Sequence, residues 1–265
     1  MVSPPISLTL DTRGQHNGRS PQREVISVQN QPPVQPADAL KGRTFPVLDK
    51  GHIVLLDCIG SDLRVVEAAR VSTGSKAGDI EKDRKLIAFL MENHHETPFE
   101  HVVFQFMIKC PIFVARQWFR HRIASYNERS ARYRVFAEEF YVPSRDDLPG
   151  GLFDERDFDE YAKLMQQEHA FYERMIEKGN RLKGPENLLL RRRVREVFRG
   201  VLGTAYYTEF YWTINFRSLM NFIRLRTDEG AQLEIRRYAD VLASIAKQSV
   251  PLCYEAFETY VMRKV

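Results

Sequence analysis

Arginine dominates the residues of this chain that could do chemistry, and it is gathered into two stretches that exclude lysine. From Cys110 to Ala162 there is no lysine, while RQWFRHRIASYNERSARYR carries Arg116, Arg120, Arg122, Arg129, Arg132 and Arg134 together with His121. Ordinary surface charge mixes the two cations. Arginine is planar, forked and permanently charged, which suits it to bidentate grip on phosphate and to stacking on flat rings, where lysine is only a point charge. A solvated cationic face is the bland explanation. The interleaved Ser125, Asn127, Ser130 and Tyr133 supply neutral directional donors and acceptors, and that mixture favours nucleotide recognition. The second stretch, Gly184 to Ala246, brings Arg191, Arg192, Arg193, Arg195 and Arg199, then Arg217, Arg224 and Arg226. Arg192, Arg195 and Arg199 fall at i, i+3 and i+7, one helix face, so an anion or carboxylates should lie opposite. Structural ion pairs account for most of Arg191 to Arg195, whereas Arg199 stands at a Gly200 and Gly203 turn able to bring backbone close to a ligand.

Several other chemistries are excluded by spacing. His95-Glu96 suggests a zincin, but the required second histidine position is Phe99, preceded by Pro98, so no metal is expected. There is no GxGxxG after a strand, no GxxxxGK[ST], and no GxSxG around Ser125 or Ser130, so Rossmann, P-loop and hydrolase-elbow readings are unsupported. Cys58, Cys110 and Cys253 are odd in number and far apart, which excludes a disulfide framework, and none has the polar, arginine-rich surroundings of a nucleophile.

The elements that must position the arginines can be read from periodicity. His52 to Asp57 is a short β-branched run and predicts a strand; Asp62 to Arg70 predicts a helix behind a Ser61 or Asp62 cap. A helix follows over Asp79 to His94, stopping before Pro98. His101 to Lys109 alternates, with Val102, Phe104, Phe106 and Ile108 on its apolar side. Ile112 to Phe119 reads as helix, and Arg120 to Arg134, polar and aperiodic, as an ordered functional loop. Tyr161, Met165, Tyr172, Met175 and Ile176 mark a long amphipathic helix, as do Tyr238, Val241, Leu242 and Ile245 later. Tyr206 to Phe216 predicts a strand and Ser218 to Arg226 a helix. The class is α+β: a single domain with a central mixed or antiparallel sheet flanked by long helices.

Charge adds little by itself: 39 Lys and Arg against 35 Asp and Glu leave a net +4 over 265 residues, which requires neither nucleic acid nor a membrane as partner. No apolar run approaches the roughly 18 residues that span a bilayer, and a cytoplasmic location is expected. Six of the 13 prolines fall in the first 36 residues and no aromatic precedes Phe45, so residues 1–42 are expected to be a disordered extension and residues 43–265 the working domain.

Taken together, the string RHRIASYNERSARY, with Arg120-His121-Arg122, seven intervening residues and then Ser130, resembles the signature of the flavin-dependent thymidylate synthases. The resemblance continues through HETPFEH (95–101), PIFVARQWF (111–119), EFYVPS (139–144), FYWTINFRSLMNFIRLR (210–226) and AQLEIRRYA (231–239), covering about residue 46 to the end in the same order. It implies a homotetramer of α+β subunits, a non-Rossmann flavin-binding fold, and active sites shared between chains. The implied reaction is reductive methylation of dUMP to dTMP, with 5,10-methylenetetrahydrofolate as carbon donor and FAD, reduced by NADPH, as hydride source. Carried over residue by residue, FAD is expected against Thr97, Arg120, His121, Arg122, Asn215, Phe216, Arg217 and Asn221, with Glu128 from a neighbouring chain. The nucleotide dUMP is expected at Gln117, Trp118, Phe119 and Arg120, at Glu128, Arg129, Ser130, Ala131 and Arg132, and at Arg199 and Arg226. By the same resemblance Arg226 is the catalytic residue, a cation beside the uracil that favours its N3-deprotonated form and so makes C5 a better nucleophile. His95 is a further flavin- or folate-side candidate.

Three positions depart from the pattern: Gly230 where a histidine is expected, Gly203 where proline is expected, and Ala131 where glycine is common. Two other functions remain open, a flavoprotein of the same fold with altered chemistry and a non-catalytic single-strand-binding module suggested by arginines beside Trp118, Phe119, Tyr126 and Tyr133.

Overall fold

Period-2 alternation builds the centre of the molecule. In the computed structural model, which describes residues 35–262 apart from 72, 73, 75, 76 and 131, five strands form one sheet: β1 (Thr44–Val47), β2 (Gly51–Ile59), β3 (Val103–Pro111), β4 (Ser125–Glu128) and β5 (Tyr207–Asn215). Their order is β1-β2-β3-β5-β4 and every pairing is antiparallel. The expected apolar side of β3 is fully buried at Val102, Phe104, Phe106 and Ile108. Residues 1–34 of the expected extension and Ala131 lie outside the described residues. Within the described part of that expected extension, Ala37 and Leu40, in and just after a 3₁₀ turn over Pro36–Ala39, are buried in the main core.

Eight helices accompany the sheet among the described residues: α1 (Asp62–Arg70), α2 (Ile80–Glu92), α3 (Ile112–Trp118), α4 (Glu155–Asn180), α5 (Leu188–Phe198), α6 (Phe216–Arg226), α7 (Leu233–Ser249) and α8 (Pro251–Tyr260). The main core joins the apolar sheet face to α6 and α7 through Trp118, Phe210, Trp212, Phe222 and Tyr238; Trp118 lies edge-on to Trp212 at 5.1 Å and to Tyr238 at 5.6 Å. Tyr238 also ties α7 to the sheet, its hydroxyl donating to the Lys109 carbonyl at 2.7 Å. That hydroxyl occupies the space beside Gly51, where a Cβ would lie 1.9 Å from it, so only glycine fits there. A second, smaller core gathers Phe140, Met165, Ala205 and Tyr206 where α4 meets the start of β5.

Two elements position the arginines. The α6 helix starts at Asn215, whose side chain accepts from the Ser218 amide at 2.9 Å and caps it. Its buried positions Leu219, Met220, Phe222 and Ile223 leave Arg217, Asn221 and Arg224, spaced by four and three, on the open face. The segment expected to be loop between Arg120 and Arg134 instead contains β4, an edge strand with Ser125 opposite Thr213 and Glu128 opposite Phe210.

Candidate functional site

A groove of about 840 Å³ opens where the end of α2, the turn after α3 and the exposed face of α6 converge, with the end of α8 as its far wall. One wall is cationic, formed by Arg120, Arg122, Arg217, Arg224 and Arg226; the floor is apolar, with Met91, Ile214, Met220 and Phe257. Arg217 is neutralised by Glu96 and Glu100, at 2.7 Å each. For Arg120, Arg122, Arg224 and Arg226, no carboxylate lies within ion-pair distance among the described residues. Free guanidinia above an apolar floor are the donor set that an anionic nucleotide with a planar ring requires, and the volume is that of an ordinary cofactor site. The groove therefore fits a flavin nucleotide, and the expected flavin residues Arg120, His121, Arg122, Arg217 and Asn221 all line it.

Arg226, half-buried at the end of α6, is held at two points. Its Nε donates to His121 Nε2 at 3.0 Å and its Nη2 to the Gln117 carbonyl at 3.3 Å. Burial lowers the guanidinium pKa from its ordinary value. Burial first, and the Arg226 cation second, push the His121 pKa down to about 4, so at neutral pH the imidazole is uncharged and free to accept. His121 is itself fixed by its backbone amide, which donates to the Trp118 carbonyl at 3.0 Å, and by its carbonyl, which accepts from the Tyr126 hydroxyl at 2.7 Å. The Gln117 side chain donates to Gln232 at the start of α7.

The other expected arginines lie elsewhere on the chain. Arg129 follows β4 and pairs with Glu209 at 3.0 Å, and Arg132 pairs with Glu196 of α5 at 2.8 Å. Glu128 accepts from the Thr208 hydroxyl at 2.7 Å, and the Ser130 hydroxyl accepts from the Arg132 amide at 3.3 Å. On α5, Arg193 shares Glu196 with Arg132, Arg191 donates to the carbonyls of Leu182 and Gly184, and Arg192 stacks over Tyr133 at 5.6 Å. The face holding Arg192, Arg195 and Arg199 thus meets an aromatic ring, and Arg195 keeps a buried Nε with no partner. Because β4 runs alongside β5 from Thr213, next to the groove residue Ile214, to Phe210, this arginine arm emerges about 10 Å along the sheet edge from the groove.

Not every expected residue presents its side chain. Trp118 and Phe216 are fully buried, Trp118 among Trp212, Phe222 and Tyr238 and Phe216 between Phe99 and Phe104. Each side chain is core and is closed to a ligand in the groove. Phe119 packs edge-on against Phe210 and Tyr126, Asn215 is engaged as the α6 cap, and Thr97 is exposed at the start of a 3₁₀ turn over Thr97–His101. Arg199 is exposed at the end of α5. His95 stands edge-on to Phe89, while its neighbour His94, held at φ +57, lines the groove. Gly230 sits in an exposed turn closed by Asp228, which accepts from its amide at 2.8 Å, so the expected histidine position is a surface turn ahead of α7. Gly203 uses the amide that a proline would lack, donating to Glu168 at 3.2 Å. Sequence reasoning missed Gln232, Glu196 and Glu209, and it passed over Glu96 and Glu100 although both stand inside HETPFEH.

Comparisons with known proteins agree with this geometry. A sequence model described as "Thymidylate synthase complementing protein" matches residues 54–252. The flavin-dependent thymidylate synthase of Thermotoga neapolitana is 46% identical over 217 residues, covering 82% of this chain and 94% of that protein. That of Thermus thermophilus is 42% identical over 228 residues, covering 83% of this chain and 80% of that protein. Among solved structures, the UMP/dUMP methylase PolB from Streptomyces cacaoi bound with 5-Br dUMP superposes with a TM-score of 0.69 at 31% identity, over 82% of this chain and 98% of that one. By both the family match and the identity of its relatives, the chain belongs to the thymidylate synthase complementing protein family, the family of the flavin-dependent thymidylate synthases.

Proposed function

We propose that this protein is a flavin-dependent thymidylate synthase, converting dUMP, 5,10-methylenetetrahydrofolate, NADPH and a proton to dTMP, tetrahydrofolate and NADP⁺. The observation that carries the reading is the groove itself, with a fixed Arg226 cation beside a wall of uncompensated guanidinia over an apolar floor. FAD, when bound and reduced by NADPH, supplies the hydride that completes the methyl group. Arg120 and Arg122 hold its phosphates, and Asn221 and Arg224 face it from α6. Arg226 places positive charge against the uracil, stabilises the N3-deprotonated ring and raises electron density at C5, which then attacks the methylene carbon of the folate. No cysteine serves as nucleophile: Cys110 and Cys253 are fully buried with thiol pKa values raised by desolvation, and Cys58 is pushed up to about 12.

The dUMP phosphate belongs to the arginine arm, with Arg129, Ser130, Ala131, Arg132 and Arg199, and Glu128 beside it. The arm leaves the sheet edge about 10 Å from the groove, and the reading, following the family resemblance, has groove and arm of neighbouring subunits complete one site in a homotetramer. The apolar exposure of Leu188, Leu189, Leu190 and Val197 on α5 supports such an interface. The working compartment is the cytoplasm. The reading is tested by tritium release from 5-tritiated dUMP with NADPH and methylenetetrahydrofolate. Yellow, flavin-replete protein should release tritium, and a flavin-replete preparation that releases none would refute the synthase. Colourless protein that takes up no FAD and binds single strands would favour a nucleic-acid module instead.

A further inference from the structure

Every arginine discussed above that is held by another side chain's hydrogen bond is held by a carboxylate or an amide oxygen, with one exception. Arg217 has Glu96 and Glu100, Arg129 has Glu209, Arg132 has Glu196, and Arg224 reaches Asn221; Arg226 alone donates to an imidazole. The choice of acceptor matters for a residue that must stabilise an anion. A carboxylate would orient the guanidinium but also cancel much of its charge, whereas a neutral ring nitrogen orients it and leaves the charge for the substrate.

We propose, resting on the synthase reading above, that His121 is the positioning residue of Arg226, a neutral acceptor that fixes the guanidinium through Nε and aims its remaining donors into the groove. The geometry divides the arginine into a held side and a working side. Nε is taken by His121 and Nη2 reaches the Gln117 carbonyl, while Nη1 has no protein partner among the described residues. Accepting at Nε2 places the imidazole proton on Nδ1. The ring cannot swing away easily: Phe222 lies 4.6 Å from it centroid to centroid, and the His121 amide and carbonyl are both bonded within the turn. A side chain already held at two points loses less rotamer entropy on meeting substrate than a free one, so the cation is in place before the uracil anion develops. The depressed basicity of His121 agrees, because a protonated ring would present a second cation and a donor to Arg226.

The test compares His121→Leu, which removes the acceptor, with His121→Gln, whose amide oxygen restores one, each also made in an Arg226→Ala background. Steady-state kcat and KM for dUMP are read at saturating FAD, with bound flavin measured by absorbance. The expected result for His121→Leu is a fall in kcat of about ten- to a hundredfold, the worth of a charge-assisted hydrogen bond, with bound flavin retained. His121→Gln should recover most of that loss, and in the Arg226→Ala background His121→Leu should lower kcat by less than about twofold, because two residues acting through one group are not additive. Should His121→Leu fail to fold, His121→Asn, whose amide oxygen stops short of Arg226 Nε, replaces it in the comparison. Equal kcat for the Leu and Gln variants, losses that multiply in the double variant, or loss of flavin with full kcat at saturating FAD would each overturn the proposal alone. A wild-type enzyme that released no tritium would overturn the synthase reading, and this proposal with it.

Discussion

The groove and the arginine arm are built from the same residue type and answer opposite questions about charge. In the groove, Arg120, Arg122, Arg224 and Arg226 stand without carboxylates, and Arg226 is steadied by a neutral histidine. On the arm, Arg129 and Arg132 are each bonded to a glutamate of their own chain. An uncompensated cluster is expensive to hold together and waits for an anion; a compensated one is stable alone and must exchange partners to work. Magnitudes decide that the exchange is favourable. An exposed ion pair is worth about 0–1 kcal/mol, and a charge-assisted bond to a phosphate oxygen about 1.5–3 kcal/mol, so under the proposed function a phosphate at the arm would displace Glu196 and Glu209.

The sharpest way to break this comparison is to remove the aimed cation. Arg226→Ala should lower kcat by about a hundred- to a thousandfold, the cost of deleting one preorganised stabiliser of developing negative charge, while bound flavin remains. Turnover followed by tritium release, with flavin absorbance alongside, checks it; loss of flavin instead would make Arg226 part of the cofactor cradle. On the arm, Arg132→Ala should weaken dUMP binding by about ten- to a hundredfold. Glu196→Gln should tighten it by up to about fivefold, since only a surface pair is given up. Isothermal titration with dUMP measures both, and weaker binding in Glu196→Gln would show that the glutamate organises the arm instead of competing for it.

How much of this was legible in the sequence depended on where the partner of each residue lies. The alternation of Val102 to Ile108 is local, and the strand it specifies was readable from a few neighbouring residues; the cap at Asn215 was not, and the expected strand ran on to Phe216, the first residue of α6. The edge strand β4, Ser-Tyr-Asn-Glu, has no apolar face to alternate and so read as loop, and the ten-residue α8 is too short for a period to emerge from its apolar run. The arginines announced phosphate by type alone. Which of them were free did not appear, because Glu196 lies 64 residues from Arg132, Glu209 lies 80 from Arg129, and His121 lies 105 from Arg226. Trp118 and Phe216 show the converse: the motif that carries them was legible, but whether an aromatic in it faces ligand or core is fixed by the helices packed behind it.

The two regions should also separate on acidification. His121 has its pKa lowered to about 4 from an ordinary 6.5, so its contribution to stability is complete above pH 6.5 and lost as pH falls toward 4. The Arg132 hydrogen bond lowers the Glu196 pKa from an ordinary 4.5, so that pair contributes above pH 4.5 and is lost only as pH falls through the depressed value. Thermal melts between pH 7 and 4 should therefore show a flatter decline for His121→Gln than for wild type, with Glu196→Gln parallel to wild type above pH 5. A decline equally steep in His121→Gln would place the acid-sensitive group elsewhere.

The smallest effect concerns how the arm's helix is anchored. At position 203, proline would gain about 0.4–1 kcal/mol by restricting the unfolded chain, yet it would remove the amide that donates to Glu168 at 3.2 Å. A hydrogen bond to a charged acceptor contributes about 1.5–3 kcal/mol, less at this half-exposed site, so the loss outweighs the gain. Gly203→Pro should lower stability by about 1 kcal/mol in chemical denaturation and leave flavin binding in the groove unchanged. Stabilisation by proline would instead mean that Glu168 contributes nothing there. In that case the turn after Arg199 could be stiffened without disturbing the link to α4, and the arm would depend on its glutamate pairs and on the stacking of Arg192 over Tyr133.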